Sequence, residues 1–296
     1  MIKIEDGTSE LAKRNSGTLN KPQTPLTVGQ LELALLKRYP REDAEEWDRT
    51  GLLVGDPAAL VTGVAVALDP TPKAIRAAAH AGTNVLLTHH PAFITPPCAF
   101  SPSFDVAHAS GVSVYTAASE GVALMNFHTA LDASVEATRM FPRMVNLAFR
   151  RLLNPLPADK DKGYAIMCEV RDEDKPFKLA HLAARVTSVF GRPPRVWGDL
   201  DTPLENVVIG NGGANAVVDE CLDAHADCLL CGEVKYHFAL NASQAGLAIV
   251  EIGHDVSEFP LCALLAQAAI EAGIPEEKVT MIDQSSNWTY PEATRM

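Results

Sequence analysis

Apolar residues occur along this chain in short blocks of two alternating kinds. Runs of β-branched and apolar residues, such as 61–68 and 85–88, are typical of buried strands. The segment between them, 72–80, has apolar residues at helical spacing, with Thr71 before it and Gly82 after it as start and stop signals. Strands that alternate with helices of this length predict an α/β fold with mixed or largely parallel sheets.

The same patterns continue to the end of the chain. Further helices are predicted at 27–39, 113–120, 176–190, 214–224 and 260–272, and further strands at 122–127, 164–170, 195–197, 206–209, 227–230 and 248–252. Residues 134–162 are interpreted as a helix followed by a loop.

The predicted domain organisation follows from the polar segments. Residues 1–25 are polar and contain Gly, Ser, Asn and Pro, which predicts a flexible tail. The segment NPLPADKDKG (154–163) suits a domain junction. We therefore expect one α/β domain formed by 26–150 and 249–296, and a second formed by 151–248.

Composition narrows the functional classes. A chain of 296 residues with 47% hydrophobic and 21% charged residues is typical of a globular protein. The net charge of −12, without any basic block, argues against a nucleic-acid-binding surface. No apolar run approaches the ~18–20 residues that span a bilayer, and the N-terminus lacks the apolar core of a signal peptide. A cytoplasmic protein without membrane contact is expected.

Two of the six cysteines, Cys228 and Cys231, form a C-x-x-C sequence that is compatible with a zinc or redox site. They fall on or beside a predicted strand, where residues three apart point to opposite faces. Buried, reduced and inert thiols are the favoured interpretation, and a redox function is the weaker alternative.

Residues that bind metals follow four of the predicted strands. They are Asp69 after 61–68, His89 and His90 after 85–88, His128 and Asp132 after 122–127, and His254 and Glu258 after 248–252. Because ligands of open α/β sheets bind beyond the carboxyl ends of the strands, we expect these side chains to converge. An isolated histidine is usually structural, but this shared position favours a metal site.

The spacing of these residues indicates the kind of metal centre. Glu258 follows His254 by four residues, and Asp132 follows His128 by four, so each pair shares one face of a helical turn. Imidazoles combined with carboxylates suit Zn, Mn, Fe, Co or Ni better than Ca. The set exceeds the needs of one tetrahedral ion, and a carboxylate such as Glu258 can bridge two, which favours two divalent ions per chain.

The sequence GNGG at 210–213 lies between a predicted strand and a predicted helix. It is compatible with a phosphate cradle at a helix N-terminus or with a simple tight turn. It lacks the lysine of a P-loop.

Several motifs carry a family resemblance. They are WDRTGLLVG (47–55), LD (68–69), THHP (88–91), HTALD (128–132), GEVKYH (232–237) and GHDVSE (253–258). Their types and order resemble the GTP cyclohydrolase I type 2 family, also called the NGG-one-interacting-factor-three-like family. The resemblance covers roughly residues 27–135 and 203–275.

The resemblance implies two α/β domains that face each other across a cleft containing a dinuclear metal site, in a homohexamer. It implies the metal ligands His89, His90, Asp132, His254 and Glu258, with His128 as a ligand or as a partner of one. It places His237 near the site. The family name implies opening of the guanine imidazole ring of GTP with loss of formate, and hence a nucleotide or a related small-molecule substrate.

Three positions depart from the family pattern. Arg49 and Ala130 stand where Asn is common, and Cys231 replaces the usual Thr. None of these changes removes a ligand, but Arg49 and Ala130 bear on what the pocket accepts.

The functional hypothesis is a metal-dependent hydrolase, and the alternative is a non-catalytic metal-binding scaffold or a metal-handling or interaction protein. Asp69, Glu233 and His237 are the candidates for a general base or for groups that orient a ligand. A simpler role for Asp69 is to cap the helix that follows it.

Overall fold

The computed structural model describes residues 25–103 and 109–288, and the structural statements below concern those residues. The predicted tail lies outside them apart from Pro25.

The described strands fall in two groups along the chain. In chain order they are β1 (Gly51–Val54), β2 (Val64–Ala67), β3 (Val85–Thr88), β4 (Ala123–Asn126), β5 (Leu147–Pro155), β6 (Gly163–Val170), β7 (Arg195–Trp197), β8 (Asn206–Gly213), β9 (Cys228–Glu233), β10 (Ala248–Glu251) and β11 (Val279–Met281).

The described helices separate most of these strands. They are α1 (Val28–Arg38), α2 (Pro72–His80), α3 (Ala109–Glu120), α4 (Thr129–Asp132), α5 (Val135–Met144), α6 (Leu179–Phe190), α7 (Val218–Asp223), α8 (Tyr236–Gln244) and α9 (His254–Glu271).

Local signals set several of these boundaries. Thr27 Oγ1 accepts a hydrogen bond from the Gln30 amide, and the Gln30 side chain accepts one from the Thr27 amide, so that a capping box starts α1. Thr71 caps α2 in a similar way through the Ala74 amide, with Pro72 at the first helical position.

The first sheet has the strand order β1-β4-β3-β2-β11. Its central strands run parallel, and only β1 is antiparallel to its neighbour. Alternate residues of the strands face opposite sides. Ala65 and Leu86 pack in a cluster with residues of α2 and α3, whereas Val64 and Leu87 belong to a larger core that also contains α1 and α9.

The second sheet has the order β5-β6-β8-β9-β10-β7, with β8, β9 and β10 parallel and the outer strands antiparallel. One of its faces packs against α7 and α8. The other face contributes Val207, Leu230 and Val250 to the same large core as the first sheet. The two sheets therefore share one apolar interior.

Helix α9 lies in that shared interior. It contacts β8 and β9 of the second sheet, and β2, β3 and β11 of the first. Leu261, Leu265 and Ala269 on this helix are fully buried. The position of α9 therefore fixes the first turns of the helix relative to the strands of both sheets.

The two cysteines of the C-x-x-C sequence are buried on opposite faces of β9. Cys228 belongs to the shared core, and Cys231 belongs to the cluster under α7 and α8. Burial raises the pKa of both thiols above the ordinary value. The prediction of buried thiols is confirmed.

The α/β prediction is confirmed, and several predicted elements need correction. Residues 147–155 form β5 instead of the predicted loop. The strand was not predicted because a register shift between Phe149 and Arg151 interrupts its apolar alternation. Helix α9 begins at His254, well before the predicted start at 260, and includes Pro260. The GNGG sequence is the end of β8, and α7 begins only at Val218.

The proposed division into domains stays a prediction. Strand β10 pairs with β9 and β7 in the second sheet, so that the boundary at 249 falls inside a strand of that sheet. Within the described ranges, no helix is both long and apolar enough to cross a bilayer, and the cytoplasmic location stays a prediction.

Truncation of Leu265 tests the role of α9. Leu265 is 0% exposed and Leu33 on α1 is 62% exposed, so the same substitution removes core contacts at only one of them. We expect Leu265→Ala to lower the free energy of unfolding by about 2–5 kcal/mol. Leu33→Ala is expected to lower it by less than about 0.5 kcal/mol. Urea denaturation measures both, and equal losses would contradict the assigned packing.

Candidate metal centre

The six predicted ligand residues come together where three strands end. His89 and His90 directly follow β3, His128 is the second residue after β4, and Asp132 ends α4. His254 and Glu258 occupy the first turns of α9, just after β10. Strands from both sheets therefore deliver the side chains to one place, as the rule for parallel strand ends predicts.

Three overlapping groups of these residues have ligand atoms close enough for one metal ion. The groups are His89, His90 and His128; His90, His254 and Glu258; and His89, Asp132 and Glu258, each with its ligand atoms within 4.8 Å of one another. Because the groups share members, they describe one continuous cluster of nitrogen and oxygen ligands.

The two carboxylate oxygens of Glu258 face different partners. Oε2 lies 2.9 Å from His90 Nε2 and 3.0 Å from His254 Nε2. Oε1 lies 3.8 Å from His89 Nε2 on the side where Asp132 is found. The two oxygens of Glu258 therefore face different sets of neighbours.

All four histidines are held by their Nδ1 atoms. The pairs are His89 with Phe127 O at 3.2 Å, His90 with Asp69 Oδ1 at 2.8 Å, His128 with Asp48 Oδ1 at 3.3 Å, and His254 with Glu233 Oε1 at 2.9 Å. In each pair the Nδ1–H donates to an oxygen, which fixes the ring and directs Nε2 into the cluster. Metal-binding histidines are held by the same kind of contact.

His89 provides the sharpest test of whether a cation fits. Its side chain is fully buried, and its Nε2 has no hydrogen-bond partner in the described residues. Two carboxylate oxygens lie near it, Asp132 Oδ1 at 3.6 Å and Glu258 Oε1 at 3.8 Å. A buried nitrogen without a partner is costly, and a cation between these three atoms would satisfy all of them. The residues present fit a metal ion.

The pKa values of the histidines reflect the surrounding carboxylates. Burial alone would lower the pKa of His90, but hydrogen bonds with Asp69 and Glu258 outweigh it and raise the pKa to about 10. For His254 the hydrogen bond with Glu258 is the largest influence, and the pKa rises to about 9. Metal binding requires bare nitrogens, so protons and metal ions compete for both residues.

The two ligand carboxylates respond in opposite directions. Burial raises the pKa of Asp132 above its ordinary value. Burial also acts to raise the pKa of Glu258, but hydrogen bonds with His254 and His90 hold it well below its usual range. Glu258 is therefore a charged carboxylate in the interior, stabilised by the imidazoles around it.

Two residues that sequence reasoning did not assign to the site support it. Asp48 accepts hydrogen bonds at Oδ2 from the amide and the hydroxyl of Thr129, at the start of α4, while its Oδ1 faces His128. Asn211 Nδ2 lies 2.5 Å from Asp132 Oδ1 and donates to it. The only sequence signals were the motifs WDRTGLLVG and GNGG, which gave neither residue a role.

The GNGG sequence ends β8 instead of forming a tight turn or the N-terminus of a helix, as predicted, because α7 begins only at Val218. Gly212 has φ +58°, and a Cβ atom there would lie 2.1 Å from Glu258 Oε1. Its amide donates to Ser257 Oγ at 2.8 Å. The end of β8 therefore needs glycine to pass beside the carboxylate of Glu258.

The structure separates the three candidates for proton transfer or orientation. Asp69 and Glu233 each accept a hydrogen bond from a ligand histidine. Asp69 does not cap α2, because Thr71 has that role. His237 is exposed on α8 with its ring against Tyr236, and it is not among the residues whose ligand atoms come together.

Residues 26–287 match the family described as Duf34/NIF3 (NGG1p interacting factor 3), and the chain belongs to this family. A Streptomyces coelicolor protein named "GTP cyclohydrolase 1 type 2 homolog" is 28% identical over 241 residues, which cover 80% of this chain and 83% of that protein. A Saccharomyces cerevisiae protein named "NGG1-interacting factor 3" is 24% identical over 266 residues, which cover 81% and 89%. The resemblance found in the motifs is confirmed.

Solved structures share the fold at low sequence identity. A Staphylococcus aureus hypothetical protein superposes with a TM-score of 0.79 at 22% identity, and the match covers 90% of this chain and all of that one. A Bacillus cereus protein related to NIF3 gives 0.77 at 17% identity, with 88% and 97% covered. These likenesses support the architecture alone.

Substitution of Gly212 tests the close approach of β8 to Glu258. Gly212→Ala is expected to lower the free energy of unfolding by about 1–3 kcal/mol, because the new Cβ combines left-handed backbone with a clash. Gly213→Ala is the matched control, since its Cβ would meet only the end of the Glu233 side chain at 3.2 Å. Chemical denaturation compares the two variants, and a larger loss for Gly213→Ala would contradict the geometry.

Proposed function

We propose that this member of the Duf34/NIF3 family is a hydrolase that depends on two divalent metal ions per chain. The observation that carries the proposal is the arrangement around Glu258 and His89. One oxygen of Glu258 faces His90 and His254, and the other faces His89 together with Asp132. Two sets of ligands on either side of one carboxylate support a dinuclear centre.

The proposed ligands are the six residues of the cluster, and the ion is Zn, Mn, Fe, Co or Ni. When bound, such ions supply Lewis acidity, which activates water near neutral pH and polarises the bond under attack. The chain itself contributes the fixed histidines. Asp69, Asp48 and Glu233 keep the Nδ1 protons of His90, His128 and His254 in place, so that Nε2 is the nitrogen directed inward.

Glu233 is the residue that we assign as proton acceptor. Its side chain is 44% exposed, and it adjoins His254, the most exposed ligand of the cluster at 45%. Its carboxylate is therefore accessible to an incoming water, whereas Glu258 is 5% exposed and fully engaged. Asp69 is 36% exposed and is assigned the orientation of His90.

The names of the relatives support GTP as the first substrate to test. Several of them are called "GTP cyclohydrolase 1 type 2 homolog", and hydrolytic opening of the guanine imidazole ring with loss of formate is the corresponding reaction. A nucleotide or a related small molecule is the substrate class that we propose. A homohexameric assembly is likewise proposed from the resemblance, and light scattering of the purified protein checks it.

Metal content tests the dinuclear centre directly. Elemental analysis of protein purified without chelator is expected to give close to two divalent ions per chain. Glu258→Gln is expected to lose at least one of them, because the amide cannot serve as an anionic bridge. Glu277→Gln is the control, since Glu277 is an exposed carboxylate outside the cluster. A metal content near zero, even after reconstitution with divalent ions, would contradict the proposal.

Turnover separates the hydrolase from a non-catalytic scaffold. Metal-loaded protein is expected to release formate from GTP, and Glu233→Gln is expected to lower kcat by about 10²–10⁴-fold. The metal content is expected to stay unchanged, because the amide oxygen of Gln can still accept the hydrogen bond from His254 Nδ1. Formate detection and chromatography of the nucleotide measure the reaction. Two bound metals without turnover of nucleotides, phosphoesters or amides would instead identify a metal-binding scaffold or a metal-handling protein.

A further inference from the structure

The segment 47–49 borders the metal cluster and is fixed against the end of β4. Asp48 holds His128 through Oδ1. The Arg49 amide donates to the same Asp48 oxygen at 2.6 Å, and the Arg49 carbonyl accepts from Asn126 Nδ2 at 2.6 Å. The backbone that presents the side chains of Trp47 and Arg49 is thus anchored to a ligand histidine and to a strand end.

The guanidinium of Arg49 is held by a backbone carbonyl, and no carboxylate of the described residues pairs with it. Its Nε donates to the carbonyl of Ile94 at 3.1 Å, four residues beyond His90. Within 25–103 and 109–288, no ion pair between Arg49 and a carboxylate is found, and the residue is exposed. An arginine has five N–H donors, so the backbone contact fixes the group and leaves its terminal donors available.

Trp47 presents an aromatic surface at the same edge. Its side chain is 52% exposed, although its ring packs against His128 with centroids 5.7 Å apart and the planes at 71°. The indole therefore covers one side of a proposed ligand while much of its own surface meets solvent. An exposed tryptophan fixed in this way is a platform on which a planar ring can stack.

Arg49 is a cation in surroundings that are rich in carboxylates. The cluster and its supporting residues are rich in carboxylates, and the whole chain carries a net charge of −12. Two bound divalent ions would offset part of this negative charge at the centre itself, and an anionic group held at the edge of the site still meets the outer carboxylates unless a further cation receives it. Arginine is suited to this role because its planar fork pairs with two oxygens of a phosphate or a carboxylate.

We propose that Trp47 and Arg49 form the recognition surface of the centre for a planar aromatic substrate that carries an oxyanion. The indole stacks on the ring, and the guanidinium binds the phosphate or carboxylate. Both residues are assigned to recognition of the substrate and not to the reaction itself. The inference rests on the proposed function in treating the bound compound as substrate, and it concerns the position where this chain has Arg instead of the common Asn.

Binding measured without turnover tests the role of Arg49. Isothermal titration of the metal-loaded full chain compares guanosine 5′-monophosphate with guanosine, which lacks only the phosphate. Arg49→Gln is expected to weaken binding of the monophosphate by about tenfold and to leave guanosine unchanged. Arg49→Lys is expected to lose less affinity for the monophosphate, because lysine keeps the positive charge but lacks the planar guanidinium that pairs with two oxygens. Arg151→Gln, at an exposed arginine on β5, is the matched control and should bind both compounds as the unaltered protein does.

The ring and the kind of anion are tested separately. Trp47→Leu is expected to weaken the binding of guanosine and of its monophosphate alike, by about fivefold or more. Orotate and uracil, which differ by a carboxylate, form a second pair of ligands. If Arg49→Gln weakens the binding of orotate but not that of the monophosphate, the anion that Arg49 recognises is a carboxylate. The proposal then holds for a substrate that carries a carboxylate.

Unchanged affinity of Arg49→Gln for both the monophosphate and orotate would overturn the inference, whatever the turnover. Metal analysis of each variant accompanies the titrations, and unchanged content is expected for the Arg49 variants because the side chain of Arg49 contacts no ligand. Failure of the proposed hydrolase would show as absent turnover with the selective binding pattern intact. The two failures are therefore distinguishable.

Discussion

The burial of Glu258 at the start of α9 is the constraint on which the site depends. Helix α9 packs between the two sheets, so the position of its first turns is set by the shared core and not by the site itself. Glu258 enters that interior as a carboxylate only 5% exposed. Its charge is tolerated because imidazoles of both sheets surround it, and because Gly212 leaves room beside it. The fold and the cluster are consequently coupled through one helix.

A second set of interactions keeps the ligands oriented. Each histidine donates its Nδ1 proton to an oxygen that a strand end or a neighbouring loop supplies, as His128 does to Asp48. Three of the four acceptors are carboxylates, which strengthen these hydrogen bonds by their charge. Histidine rings fixed in this way lose little further entropy when they bind a ligand, since their conformations are already selected. The preorganisation comes from residues spread over the whole chain.

How much the sequence could predict depended on the range of each interaction. The bounds of β3 were predicted because its apolar run is local, and those of α2 because Thr71 and Pro72 mark its start. The convergence of the ligands was predicted because parallel strands end together. The supporting contacts of Asp48 and Asn211 could not be predicted, because their partners lie far away in the sequence. Asp48 contacts His128, 80 positions away, and Asn211 contacts Asp132, 79 positions away. The GNGG sequence misled for the same reason: its glycine is required by Glu258 on another element and not by a local turn.

His89 shows why the arrangement favours a cation over a network of hydrogen bonds. Its Nδ1 donates to the carbonyl of Phe127, so that Nε2 is the ring nitrogen directed into the cluster. Nε2 has no hydrogen-bond partner in the described residues, and oxygens of Asp132 and Glu258 lie beside it in a buried space. A proton on Nε2 could serve one carboxylate at most with good geometry, and both distances are too long for a hydrogen bond. A divalent ion among them would be attracted by all three groups at once.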